Sequence, residues 1–180
     1  MQFVQPIRDK ETIAELKKVL LARSERDYIM FMIGINVGLR ISDILPLKVR
    51  DVKGNHIKVI EQKTGKVRRV AINKALRKSL DRFIQNKKDN EVLLKSREGI
   101  NKPISRSMAY KILREAAEQI GLSEIGTHTM RKTFGYHIYQ RDKDVGALQK
   151  LFNHDKPTTT LLYIGVEQDY LDEVVMNSNL

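Results

Sequence analysis

The chain of 180 residues contains no cysteine. That excludes a disulfide scaffold, a Cys-ligated zinc site, an iron–sulfur cluster and a cysteine nucleophile. It also fits a reducing compartment. Long apolar runs are missing as well. The longest, residues 28–39, has twelve residues, whereas a membrane span needs about 20, so it reads as a buried helix. The opening MQFVQPIRDKE has no basic head followed by an apolar stretch. No secretory signal is visible, and a cytoplasmic location is expected. Proline and glycine are sparse, at four and ten, while hydrophobic residues make up 41%. That balance supports a packed core rather than wholesale disorder. There is no internal repeat, no low-complexity stretch and no Walker A motif.

What the chain has in excess is positive charge, +11 net. The excess is concentrated. Residues 61–120 hold 16 Lys/Arg against 7 Asp/Glu, whereas residues 121–180 hold 6 against 8. A basic centre points to a polyanion, most simply DNA or RNA. A merely soluble basic protein carries the same charge, so charge alone does not choose.

The length suits one compact domain. Apolar spacing predicts helices over residues 11–21 and 27–37, the second almost wholly apolar and stopped by Gly38. A short helix opens after Arg40 and is limited by Pro46. Residues 56–60 and 67–72 are β-branched and joined by a Gly-containing turn, which reads as a hairpin. A third strand is expected over residues 49–53. Further helices are expected over 76–84, 105–120, 129–141, 144–152, 157–164 and 168–176, while residues 92–94 are too short to assign. The fold class is therefore α+β, mainly α-helical with a small three-stranded antiparallel sheet.

Several polar residues stand out from this pattern. Arg40 follows an apolar helix and a glycine, and Asp43, one turn on, is placed to orient it. Lys63 lies at the hairpin turn with Lys66, Arg68 and Arg69 behind it, where a basic hairpin can reach a phosphate. The competing role for these residues is a solvated edge that protects the sheet. His128 and Arg131 share one helix face, a pair unsuited to a metal but suited to an anion. His154 follows Leu151-Phe152-Asn153, and Tyr163 lies among Leu161, Leu162 and Ile164. Taken singly, each has a bland role: surface arginine, capping histidine, core tyrosine. His56 and His137 read as structural.

Taken in order, these residues form a set. Gly38-Leu39-Arg40-Ile41-Ser42-Asp43, Lys63-Thr64-Gly65-Lys66, His128-Thr129-Met130-Arg131-Lys132-Thr133-Phe134, Leu151-Phe152-Asn153-His154 and Tyr163 resemble the catalytic domain of tyrosine recombinases, the phage and transposon integrase family. The resemblance runs from about residue 12 to residue 164. It implies that Arg40 and Arg131 clamp the scissile phosphate. It implies that Lys63 is the hairpin lysine, that His128 and His154 occupy the two histidine positions, and that Tyr163 is the nucleophile. Asp43 takes the acidic position after the first arginine. Lys132 departs from the histidine often found after the second arginine.

The implied reaction is attack by the tyrosine hydroxyl on a DNA phosphodiester, giving a covalent 3′-phosphotyrosine and a free 5′-hydroxyl. Tyrosine, with a pKa near 10, is a poor nucleophile without help. Two arginines neutralise the charge that grows on the non-bridging oxygens, and Lys63 protonates the leaving oxygen. No metal or other cofactor is then expected. Ser105, Arg106, Ser107, Tyr110 and Lys111 start a helix in a region that tends to face DNA in the family. With Lys66, Arg68, Arg69 and Lys132 they are the expected DNA contacts.

The resemblance also implies double-stranded DNA as partner, self-association on DNA as a tetrameric synapse, and accessory DNA-bending proteins. No membrane is expected. Residues 1–166 are expected to be the catalytic domain. Residues 167–180 are expected to be an acidic amphipathic tail exchanged between protomers. The N-terminal core-binding domain of the family is not seen. A type IB topoisomerase shares the tyrosine chemistry, but tends to carry lysine where His128 stands. A non-enzymatic DNA-binding regulator or remnant is the other alternative.

Overall fold

The computed structural model describes residues 4–62 and 65–178. Helices α1 (Lys10–Arg23) and α2 (Glu25–Val37) pack on each other, and α2 also packs on α4 (Lys74–Ile84) and α6 (Thr127–Asp142). The uncharged run in the sequence explains this central place. Ile29, Met30, Phe31, Met32, Ile33 and Val37 are all buried, which suits a helix surrounded by others. The short α3 (Ile41–Ile44) also meets α2, α5 (Arg106–Glu118) packs on α1, α3 and α6, α7 (Val145–Phe152) and α8 (Pro157–Ile164) pack on α6 and on each other, and α9 (Val166–Met176) packs on α8. No described helix is long and apolar enough to cross a membrane.

Side-chain caps set several helix starts. Asp9, Asn73, Ser105 and Asp144 each accept a hydrogen bond from a backbone N–H in the first turn of α1, α4, α5 and α7. The sheet is an antiparallel hairpin of β1 (His56–Ile60) and β2 (Val67–Ala71), with His56 opposite Ala71 and Ile60 opposite Val67. Ile57, Val59 and Val70 turn inward.

The third strand expected over residues 49–53 is not one. Val49–Val52 forms a 3₁₀ turn, and the sheet of the described residues has two strands. The Asp51 carboxylate accepts from the Lys48 N–H at 2.8 Å. Val49 and Val52 are both buried, and their spacing of three places them on one side of a tight turn. The extended pairing that does occur here is with residues 92–93. The Leu93 N–H donates to the Leu47 carbonyl and the Val49 N–H to the Glu91 carbonyl.

The buried apolar residues fall into two groups. The larger surrounds α2. The smaller consists of Phe134, Leu148, Phe152 and Ile164, joined by half-buried Ile138, Tyr139, Leu151, Tyr163 and Val166. It holds α7 and α8 against the middle of α6. Gly135 lets them come that close. A Cβ there would lie 2.7 Å from Phe152 and from Ile164.

Candidate active site

Arg40 owes its position to Gly38. That glycine ends α2 at φ 61°, a left-handed conformation that costs other residues strain. The chain turns there, Leu39 is buried, and Arg40 emerges as the residue before α3. Its Nη1 is buried, lies 4.0 Å from Glu61 Oε2, and has no hydrogen-bond partner among the described residues.

Asp43 is 2% exposed but does not orient Arg40. Its Oδ1 accepts from the Gln62 N–H at 2.9 Å and so ties α3 to the hairpin. The carboxylate that faces Arg40 is Glu61.

Arg131 projects from α6 and is 2% exposed. Its Nη1 donates to the Gly38 carbonyl at 2.5 Å and its Nη2 to the Phe152 carbonyl at 2.9 Å. The guanidinium also stacks 4.3 Å from the Phe152 ring centroid. Burial, assisted by the charges of Arg40 and Arg68, lowers its pKa to about 10, so it remains a cation at neutral pH. Two of its five N–H groups serve the fold, and the others lie toward the Tyr163 hydroxyl.

Tyr163 sits on α8. Its ring meets Phe152 edge-on at 5.6 Å and His154 at 5.3 Å. Its hydroxyl is 3.3 Å from His128 Nδ1. Burial raises the tyrosine pKa, and the nearby charges of Arg131 and Arg40 oppose that rise. His128 opens on solvent at one side. Desolvation of the rest of the ring, then the charges of Arg106, Arg131, Lys132 and Arg40, push its pKa below 6.5. Burial and the surrounding cations thus favour the uncharged imidazole, and in the tautomer protonated on Nε2 the tyrosine hydroxyl donates and Nδ1 accepts. His154 follows Asn153, whose left-handed φ of 53° closes α7. Its Nδ1 is 3.0 Å from Thr160 Oγ1.

The structure thus brings together Arg40 from the start of α3, His128 and Arg131 from α6, His154 from the turn after α7 and Tyr163 from α8. Lys63 lies outside the described residues. No grouping of His, Asp or Glu side chains that could hold a metal ion occurs among the described residues.

The phage integrase family profile matches residues 9–169 of this chain. The chain belongs to that family. A probable integrase/recombinase of Bacillus subtilis (strain 168), YoeC, is 52% identical over 170 residues, which cover 94% of this chain and 93% of the relative. The tyrosine recombinase XerA of Pyrococcus horikoshii is 27% identical over 171 residues, covering 92% of this chain and 60% of the relative. The chain therefore spans nearly all of YoeC but about three-fifths of XerA. Among solved structures, the XerH site-specific recombinase bound to its palindromic difH substrate, in a post-cleavage complex, superposes with a TM-score of 0.72. There the identity is 18%, over 97% of this chain and 54% of that one. The α+β fold of the chain is that of the tyrosine recombinase catalytic domain.

Not every expected DNA contact of this integrase-family chain lies free on the surface. Lys132 is buried, with its ammonium 5.3 Å from the Tyr163 ring centroid. Its ammonium therefore lies beside the tyrosine of the site instead of on the open surface. Arg68 is also turned inward, to Glu61 and the Leu151 carbonyl. The Ser105 hydroxyl caps α5, Tyr110 accepts from Arg114, and Lys111 pairs with Glu115 at 3.8 Å. Arg106 and Ser107 are exposed at the start of α5, as are Lys66 and Arg69 on the hairpin. The charge of Arg106 reaches His128, so this helix start borders the site. His137 is structural, its Nε2 donating to the Ile7 carbonyl at 2.9 Å. The His56 Nδ1 lies 3.4 Å from Nη2 of Arg69, two residues along β2 from its strand partner Ala71.

Sequence reasoning missed two residues that touch the constellation. Thr160 is fully buried and holds His154. Its one hint is its place in the Pro-Thr-Thr-Thr start of α8. Glu61 stands out in the sequence only as an acid inside a basic stretch.

Proposed function

We propose that this chain performs site-specific DNA recombination by metal-independent strand cleavage and rejoining, with Tyr163 as nucleophile. The observation that carries the reading is the 3.3 Å contact between the Tyr163 hydroxyl and a neutral His128, flanked by the guanidinium groups of Arg40 and Arg131. The tyrosine oxygen attacks the phosphorus of a DNA phosphodiester, and its proton passes to His128 Nδ1. The bond to the 5′-oxygen breaks, and Lys63 gives that oxygen a proton. Arg40 and Arg131 hold the non-bridging oxygens as their charge grows. Religation is the reverse, with a 5′-hydroxyl attacking the phosphotyrosine, so the bond energy is kept in the covalent link.

Duplex DNA is the partner, as the complex of the related XerH supports. The family likeness further carries a tetrameric synapse, accessory DNA-bending proteins and a cytoplasmic location. Assembly through the acidic tail is supported by α9, which buries none of its residues and exposes Tyr170, Leu171, Val174, Val175 and Met176. Sedimentation on DNA of the full chain and of a chain ending at Val166 tests this, since equal assembly removes the tail from the reading.

The reaction is tested by trapping. The protein is incubated with nicked duplexes of randomised sequence and run on denaturing gels. An adduct joined to the 3′ end of the broken strand is expected, and Tyr163→Phe forms none. An adduct that survives in Tyr163→Phe overturns the assignment of the nucleophile.

A further inference from the structure

Glu61 has no role in the reaction just described, yet it stands among the cations that perform it. It is a carboxylate 3% exposed to solvent, and such a group is costly to bury unless it is paired. Its Oε1 accepts from Arg68 Nη1 at 3.0 Å, and its Oε2 lies 4.0 Å from Arg40 Nη1. Arg68, on β2, donates through its other terminal nitrogen to the Leu151 carbonyl in the last turn of α7. The next carbonyl, that of Phe152, accepts from Arg131. Two guanidinium groups therefore meet successive carbonyls at the negative end of one helix, where cations are favoured.

We propose that Glu61 and Arg68 are positioning residues, forming a strut that runs from Arg40 through the hairpin to the end of α7. The strut sets the phosphate-binding arginine against the small apolar group that carries His154 and Tyr163. It rests on the reading above that Arg40 and Tyr163 act on one DNA phosphate.

The geometry explains why a carboxylate at this distance is useful. At 4.0 Å it attracts the Arg40 guanidinium without taking a hydrogen bond from it, so the donors remain for phosphate oxygens. Arg68 takes the close contact instead. Its planar fork spans two acceptors on different elements, which an ammonium cannot do in the same way. The same carboxylate repels an incoming phosphate. Its removal should therefore favour DNA binding while it harms alignment, and a purely structural role produces no such opposition.

The test uses the full chain as wild type, Glu61→Gln, Arg68→Ala and Arg68→Lys. The substrate is the nicked duplex that wild type cleaves, selected from a randomised pool. Single-turnover adduct formation is measured at saturating DNA, affinity is measured separately by fluorescence anisotropy, and hydrogen exchange is followed without DNA. For Glu61→Gln the cleavage rate constant is expected to fall by about ten- to a hundredfold, with affinity unchanged or tighter. Arg68→Lys should recover part of the loss seen in Arg68→Ala. Arg68→Ala should speed exchange across residues 145–164 and leave α1 and α2 as they are. A wild-type cleavage rate in Glu61→Gln, or rate and affinity falling together, overturns the proposal. Exchange over residues 145–164 that Arg68→Ala leaves unchanged also overturns it. That last measurement needs no cleavage, so it judges the strut even if wild type forms no adduct, a result that would count against the reaction alone.

Discussion

A tyrosine hydroxyl and an imidazole nitrogen 3.3 Å apart divide the work by their protonation states. Burial keeps Tyr163 protonated, while partial burial and four neighbouring cations keep His128 neutral. The base is therefore ready at pH 7 without a prior proton loss. A lowered pKa means that the unfolded chain takes up the proton first as the pH falls. The folded state then loses stability, and the site loses its base, on the acid side of 6.5. We predict adduct formation that is flat in this group from pH 7 to pH 8 and declines only below 6.5, with the acid limb absent in His128→Gln. An acid limb centred above 6.5 would contradict the assignment.

At this scale the sequence pointed to Arg40, His128, Arg131 and Tyr163 by their own chemistry, and the fold brings their side chains near one another. The sequence was silent where the role is a partner far along the chain. Arg68 reads as a surface cation because the Leu151 carbonyl lies 83 positions away. The burial of Lys132 was not foreseen because the pattern around it does not say which side of α6 is packed.

Elements place these residues, and small ones set the tolerance. The middle of α6 meets α7 and α8 at Gly135, where a methyl group would come within 2.7 Å of two core side chains. Neither Phe152 nor Ile164 is the flexible end of a long chain, so the helices themselves must shift. Gly135→Ala is expected to lower stability by about 1–3 kcal/mol in urea unfolding, and to slow cleavage more than it weakens DNA binding. Wild-type stability in that variant would show that the approach is not tight.

Most elements were legible because an amphipathic period and a cap agree, as in α4 with Asn73 and α5 with Ser105. The segment from Val49 to Val52 was not. Valines three apart fit a strand by type and a tight turn by spacing, and the Asp51 side chain decided for the turn.

The whole molecule carries +11 net, and its binding to DNA should be correspondingly sensitive to salt. Each phosphate neutralised adds about 0.9 to the slope of log affinity against log salt concentration. Arg106, exposed beside the site, is expected to contribute one such contact. Arg106→Ala should weaken binding to all sequences alike and reduce the slope by about 1. An unchanged slope in a titration from low to high salt would remove Arg106 from the interface.

Asp169 is held by Arg8 at 2.5 Å, which anchors the start of α9 near the N-terminal segment.

Arg131 belongs to two systems, since its donors hold the Gly38 and Phe152 carbonyls while the rest face the tyrosine. Replacing it leaves two interior carbonyls without that partner and removes a tie between Gly38, at the end of α2, and Phe152, in the smaller apolar group. Inactivation by that route and loss of architecture are therefore one event. An inert form that still recognises its site is better sought at the hydroxyl of Tyr163. There a single oxygen can be removed, and the ring keeps its edge-on neighbours.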